Sequence, residues 1–126
     1  MPTRSTRFAL VVATLLSGCT ATTVNYSALN PSPRALSPRA PASIEVFASG
    51  PPARPHVDVG MITVEEGDMG ESSPDELLAL LRQNAARQGC DALVVSPPSS
   101  KTESDFLAYT HSRRIYSGTC VVYRTP

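Results

Sequence analysis

"SSPDELLALLRQNAARQGCDALVVS", residues 72–96, decides the fold. Ser73 before Pro74, with Glu76 three positions on, is a capping box with proline at the first helical position. Asp75 and Glu76 also favour the positive end of the helix dipole. Leu77, Leu78, Leu81 and Ala85 form one apolar stripe at helical spacing, with Leu80 beside it. Gly89 then supplies the left-handed residue that closes a helix. "CDALVVS" follows at once, a short aliphatic strand with Leu93 and Val95 opposed to Ala92 and Val94. Helix, glycine and buried strand in direct succession predict a helix packed on a sheet.

Working outward, "SIEVFA" (43–48) alternates Ile44, Val46 and Ala48 with Glu45 and Phe47 and reads as a strand. "SGPPARP" (49–55) breaks it. "HVDVGMITVE" (56–65) is a second strand, and the two are expected to form a hairpin. Its apolar phase runs Val57, Val59 and then slips at Gly60 to Ile62, Val64, which predicts a β-bulge. "GDMG" (67–70), with Glu65, Glu66 and Glu71 near it, lacks the spacing of a calcium loop and reads as a turn. "PPSSKTES" (97–104) reads as a polar loop and "DFLAYTHS" (105–112) as an optional strand. "RRIYSGTCVVYR" (113–124) ends in a firm one, placed beside the strand after Cys90. The expected class is α+β: four or five strands with one packed helix, in the order β-β-α-β-(β)-β.

The first 42 residues have a different character. Arg4 and Arg7, then an apolar run Phe8–Leu16, then small residues, have the layout of a secretory signal. The run is too short to span a bilayer, which takes about 20 residues. Leu16-Ser17-Gly18-Cys19 resembles the bacterial lipobox. That resemblance implies cleavage before Cys19, a diacylglycerol on its sulfur, and anchoring in the cell envelope. An ordinary signal peptide ending near a Cys is the alternative. Thr20, rather than Asp, after Cys19 points to the outer membrane. Residues 1–18 are thus expected as signal peptide, 19–42 as lipidated Cys and tether, and 43–126 as the domain. Residues 20–42 hold Pro31, Pro33, Pro38 and Pro41, a duplication ("SPRAL", 32–36; "SPRAP", 37–41), and few bulky apolar side chains. This predicts a disordered polyproline-like tether reaching up to about 70 Å, with Arg34 and Arg39 solvated.

Export would place the thiols in an oxidising compartment. With Cys19 acylated, Cys90 and Cys120 remain, and an even pair there reads as a disulfide; two free buried thiols are the alternative. The 11 basic and 11 acidic residues cancel, and losing Arg4 and Arg7 with the signal leaves 9 against 11. Nucleic acid is not an expected partner. With no Trp and 6% aromatics, the core must be aliphatic and small.

No catalytic constellation stands out. Cys90, His111 and Asp91 could compose a cysteine hydrolase only on paper. Asp75–Glu76 and Glu65–Glu66 are adjacent carboxylates that point to different faces. His56, His111, Cys90 and Cys120 could ligate a metal but lack the close spacing of structural sites. The expectation is therefore no enzyme, no cofactor and no metal.

Gly89-Cys90-Asp91-Ala92-Leu93 and Gly118-Thr119-Cys120-Val121-Val122 resemble the helix-to-strand turn and the late strand of the YbjQ-type proteins and the Rcs stress-sensor lipoprotein. The likeness covers about half the mature chain, and its motifs are packing motifs. It implies a compact sheet-plus-helix domain on an outer-membrane lipoprotein. Two departures stand out. The Rcs sensor carries four domain cysteines in two bridges where this domain has two, and Cys90 occupies a position that is Ala in the family. The function expected is non-catalytic: a lipid-anchored envelope protein whose domain binds another envelope protein, as sensor or assembly factor. A small-ligand or metal-binding lipoprotein is the alternative.

Overall fold

The computed structural model describes residues 22–67, 72–104 and 106–125, with the side chain of His111 excepted. The expected signal segment (1–18), Cys19 and most of "GDMG" lie outside the described residues. The remainder forms a mixed six-stranded sheet with one helix, an α+β domain with more strands than expected.

The elements in chain order are β1 (Thr23–Ala28), a 3-10 turn (Pro41–Ser43), β2 (Glu45–Phe47), β3 (His56–Glu65), α1 (Pro74–Gln88), β4 (Ala92–Val95), β5 (Ser99–Ser104) and β6 (Thr110–Tyr123). The sheet order is β1-β3-β6-β4-β2. β5 also pairs with β6, so β4 and β5 occupy successive lengths of one edge of β6. Between them Pro97 and Pro98 have no N–H to give to a ladder.

The helix is built as its sequence requires. The Ser73 hydroxyl accepts from the Glu76 N–H at 3.2 Å, and the Ser73 N–H donates to the Glu76 carboxylate at 3.4 Å. Gly89 sits at φ 79°. Cys90 N–H bonds Ala85 C=O and Gly89 N–H bonds Ala86 C=O, which is the Schellman closure. A side chain at Gly89 would also meet the carbonyl of Ser37, 2.7 Å from the position of a Cβ.

One face of the sheet packs on Leu77, Leu81, Ala85 and Ala86 of α1. It offers Ile44, Leu93, Tyr116, Cys120 and Val122, together with Val57, Val59, Ile62 and Val64. The last four show why the phase slip exists. The β3–β6 register shifts between Asp58 and Gly60, so both halves of β3 turn their apolar residues toward the helix. Gly60 is also where the Tyr26 ring crosses the strand: a Cβ there would lie 2.3 Å from the Tyr26 hydroxyl. The other face carries a smaller cluster, Ala92, Val121 and Tyr123 with Phe47 and Val94.

Cys90 and Cys120 form the expected disulfide, with Cα atoms 5.4 Å apart, inside the range a bridge allows. Both residues are fully buried. The bond joins the end of α1 to β6, which pairs with β4 as expected.

Four expectations are corrected. Residues 22–42, expected as part of a disordered tether, are ordered: β1 pairs with β3 over its whole length, and Leu36 packs on the core. Their order comes from distant partners, which composition does not display. β2 does not form a hairpin with β3; it pairs in parallel with β4, at the far side of the sheet. The seven-residue "SGPPARP" connection imposes no tight turn, and burying Ile44 against α1 is the stronger demand. "SSKTES" is a strand rather than a loop, because β6 supplies its hydrogen bonds while its side chains remain largely exposed. Among the described residues of 105–112, 106–108 form the turn and β6 starts at Thr110.

Candidate functional site

Among the described residues, two ion-pair clusters and one apolar groove stand out. The first is centred on Asp91, at the start of β4. Its carboxylate accepts from Arg39 at 2.8 Å, from Arg34, and from the Tyr123 N–H at 2.8 Å. The two arginines of the "SPRA" duplication therefore converge on one carboxylate, where solvation was expected. Burial pushes the Asp91 carboxyl up. The hydrogen bonds from Arg34 and Tyr123 and the two guanidinium charges outweigh it and hold the group below its ordinary value. Further hydrogen bonds fasten the same segment. Arg39 N–H bonds Ala86 C=O, and the Arg82 side chain donates to the carbonyls of Pro41 and Ile44 at 2.9 Å each. Tyr123 lies under the Arg54 guanidinium, 4.1 Å from its ring centre. Burial, and then the Glu45 carboxylate beside it, push the Tyr123 hydroxyl up. Every charge here has a partner, so the cluster is read as a clasp.

The second place braces the base of the β5–β6 hairpin. Glu66, almost fully buried, accepts from Arg114 Nε at 2.8 Å and Nη2 at 2.9 Å. The Arg114 hydrogen bonds hold the Glu66 carboxyl below its usual range against the opposing effect of burial. Glu65 pairs with Arg113 at 3.3 Å. The adjacent carboxylates thus point to separate partners, as expected of neighbours.

The third place is apolar and open. β2 is an edge strand of only three residues. Between it and α1 lies a groove of about 350 Å³ lined by Val46, Leu78, Ala79, Leu93 and Val95, with Asp75 and Arg82 at its rim. It runs on into a second hollow of about 240 Å³, which shares Leu78 and Val95 and adds Ala48, Pro97, Pro98 and Tyr116. Val46 is 48% exposed, and Leu78, placed by sequence in the core stripe, is exposed here instead. The stripe alone gives no sign of this, because β2 is too short to cover the whole helix.

The paper constellations do not assemble. Cys90 is bonded to Cys120. His111 and Cys120 are nine residues apart on β6, or about 30 Å of strand, so the Cys90–His111 pair does not meet. His56 pairs in register with Tyr123 at the opposite end of the sheet from His111. Its ring sits in a polar cleft of about 470 Å³ with Asn30, Asp58 and Arg124. Among the described residues no group of three His, Cys, Asp or Glu could hold a metal ion. Nor, among them, is any helix long and apolar enough to cross a membrane. Cys19 lies outside the described residues.

No protein-family model matches the chain, and no curated protein matches it. Among solved structures it is similar to the Francisella virulence factor FvfA in its orthorhombic crystal form. The TM-score is 0.49 and the identity 14%, over 82% of this chain and 98% of that one.

Proposed function

We propose that this chain is a lipid-anchored envelope protein, without catalytic activity, that binds an extended segment of another envelope protein along β2. The observation that carries the reading is the coincidence of an open strand edge with an apolar groove. An added strand draws its affinity from main-chain hydrogen bonds and its specificity from pockets for alternate side chains. β2 offers the first; the hollows around Leu78 and Val95 offer the second. The other edge, β1, is bordered mostly by exposed side chains. The charge, apolar run and Leu16-Ser17-Gly18-Cys19 sequence support export and acylation at Cys19, in the outer membrane by the residue at position 20.

A photoreactive residue at Val46 or Leu78, introduced in living cells, tests the reading. The expected result is one discrete adduct to an envelope protein from both positions, mapped to an extended segment. The same residue at Met61, exposed on the opposite face of the sheet, gives no such adduct. Leu78→Lys combined with the photoreactive residue at Val46 abolishes it. Absence of any adduct from both groove positions contradicts the reading.

A further inference from the structure

The two ends of the sheet carry different things. Thr23, the first residue of β1, lies in one row with Glu65 of β3 and Ile115 of β6. Cys19 precedes it by four residues, which span at most about 14 Å. The β5–β6 ribbon leaves the sheet at this same end: β3 ends its ladder with β6 at Ile115, the Glu66 N–H still bonds the Arg114 carbonyl, and among the described residues β6 then continues toward Thr110 paired with β5. From Ile115 to Thr110 the strand extends about 17 Å. The ribbon tip therefore projects beyond the same end of the sheet at which β1 begins, four residues after Cys19 in sequence, and β1 lies three strand spacings from β5, about 14 Å.

The tip is apolar. Phe106 is fully exposed, Leu107 is 70% exposed and Tyr109 65%, and Ala108 turns the chain at φ 63°. Three large apolar side chains in four residues of a projecting turn are not scattered surface residues. The ribbon is held in direction by the Glu65–Arg113 and Glu66–Arg114 pairs at its base. Among its described residues the lysine and arginines are paired as well: Lys101 meets Glu103 at 2.5 Å, and Arg113 meets both Glu65 and Glu103. The contact it offers is apolar rather than electrostatic.

We propose that this tip is a second membrane contact, in which Phe106, Leu107 and Tyr109 enter the boundary between headgroups and acyl chains of the leaflet that holds the lipid on Cys19. The inference rests on the anchoring reading above. Phe106 and Leu107 bring apolar surface to that depth, and Tyr109 joins an apolar ring to a polar hydroxyl, a combination that favours the interface. The acyl chains hold the protein to the membrane, and the tip fixes its orientation. The sheet stands upright on two points, with the Arg54–Tyr123 end directed away from the bilayer.

The chain has no Trp, so Phe106→Trp creates a single reporter without background. The full-length protein is purified from its native membranes and reconstituted in vesicles of phosphatidylethanolamine and phosphatidylglycerol, with or without brominated acyl chains. Ala53→Trp, at the opposite end of the sheet, is the control. The expected result is a blue-shifted Phe106→Trp emission that bromolipid quenches and added salt does not restore, with Ala53→Trp unquenched. Vesicle-bound protein whose Phe106→Trp emission stays at the aqueous value overturns the inference and leaves anchoring intact. Protein that carries a bare Cys19 and does not sediment with vesicles overturns the anchoring reading, and this inference with it.

Discussion

Replacing Cys90 and Cys120 together by Ala is expected to lower the melting temperature by roughly 15 °C or more. The bridge closes a loop with a sequence separation of 30, and its chain-entropy contribution is about 3.5 kcal/mol. For a domain of this size each kcal/mol moves the midpoint by about 4–8 °C. The aliphatic core has no Trp and one helix to pack on the sheet, so a contribution of that size is a large part of the total. Both cysteines are fully buried in the main core, and Ala removes the sulfur without introducing a hydroxyl there. Calorimetry with and without reductant checks the claim. Wild type should fall on reduction toward the midpoint of the double variant, while the variant itself does not respond to reductant. A shift under about 3 °C would mean that the bond contributes far less than loop closure implies.

Asp91→Ala is expected to lower the melting temperature by about 10 °C, from a loss of about 2 kcal/mol. Most of that loss is the Tyr123 N–H, left without its carboxylate. The two arginines are partly exposed, so water recovers much of their share. The change also opens the clasp. Trypsin should cut after Arg34 and Arg39 much faster than in wild type, where both side chains are held. The effect of pH follows from the sign of the Asp91 shift. Its folded-state pKa is lowered, so its contribution is complete above the unfolded value of about 4 and disappears as pH falls through the lower folded value. Wild type should therefore lose more stability than Asp91→Ala below about pH 4. Equal acid sensitivity of the two proteins would remove Asp91 from its central place in the clasp.

Apart from the Cys90–Cys120 bridge and the β4–β6 pairing beside it, which the cysteine count and the aliphatic strands disclosed, what could be read from the sequence was local. Ser73, Glu76 and Gly89 specify the ends of α1 through contacts within a few residues. The slip from Val59 to Ile62 announces a bulge because strand faces alternate strictly. What could not be read depends on partners far along the chain. Arg34 and Arg39 look like solvated charges in a proline-rich run until Asp91, more than 50 residues away, is placed between them. β1 and β5 are polar strands, and their reason to exist is a neighbour's free edge. The candidate groove was hidden for the same reason: Leu78 belongs to the helical stripe by spacing, and only the brevity of β2 leaves it uncovered.

The mass of the amino-terminal peptide of the protein isolated from its native membranes tests the account of anchoring most directly. Location, the class of partner and the two-point orientation all depend on the state of Cys19. The expected peptide begins at Cys19, lacks residues 1–18, and carries a diacylglycerol on its sulfur. A peptide that begins elsewhere, or one with Cys19 bearing a free thiol, would contradict the account.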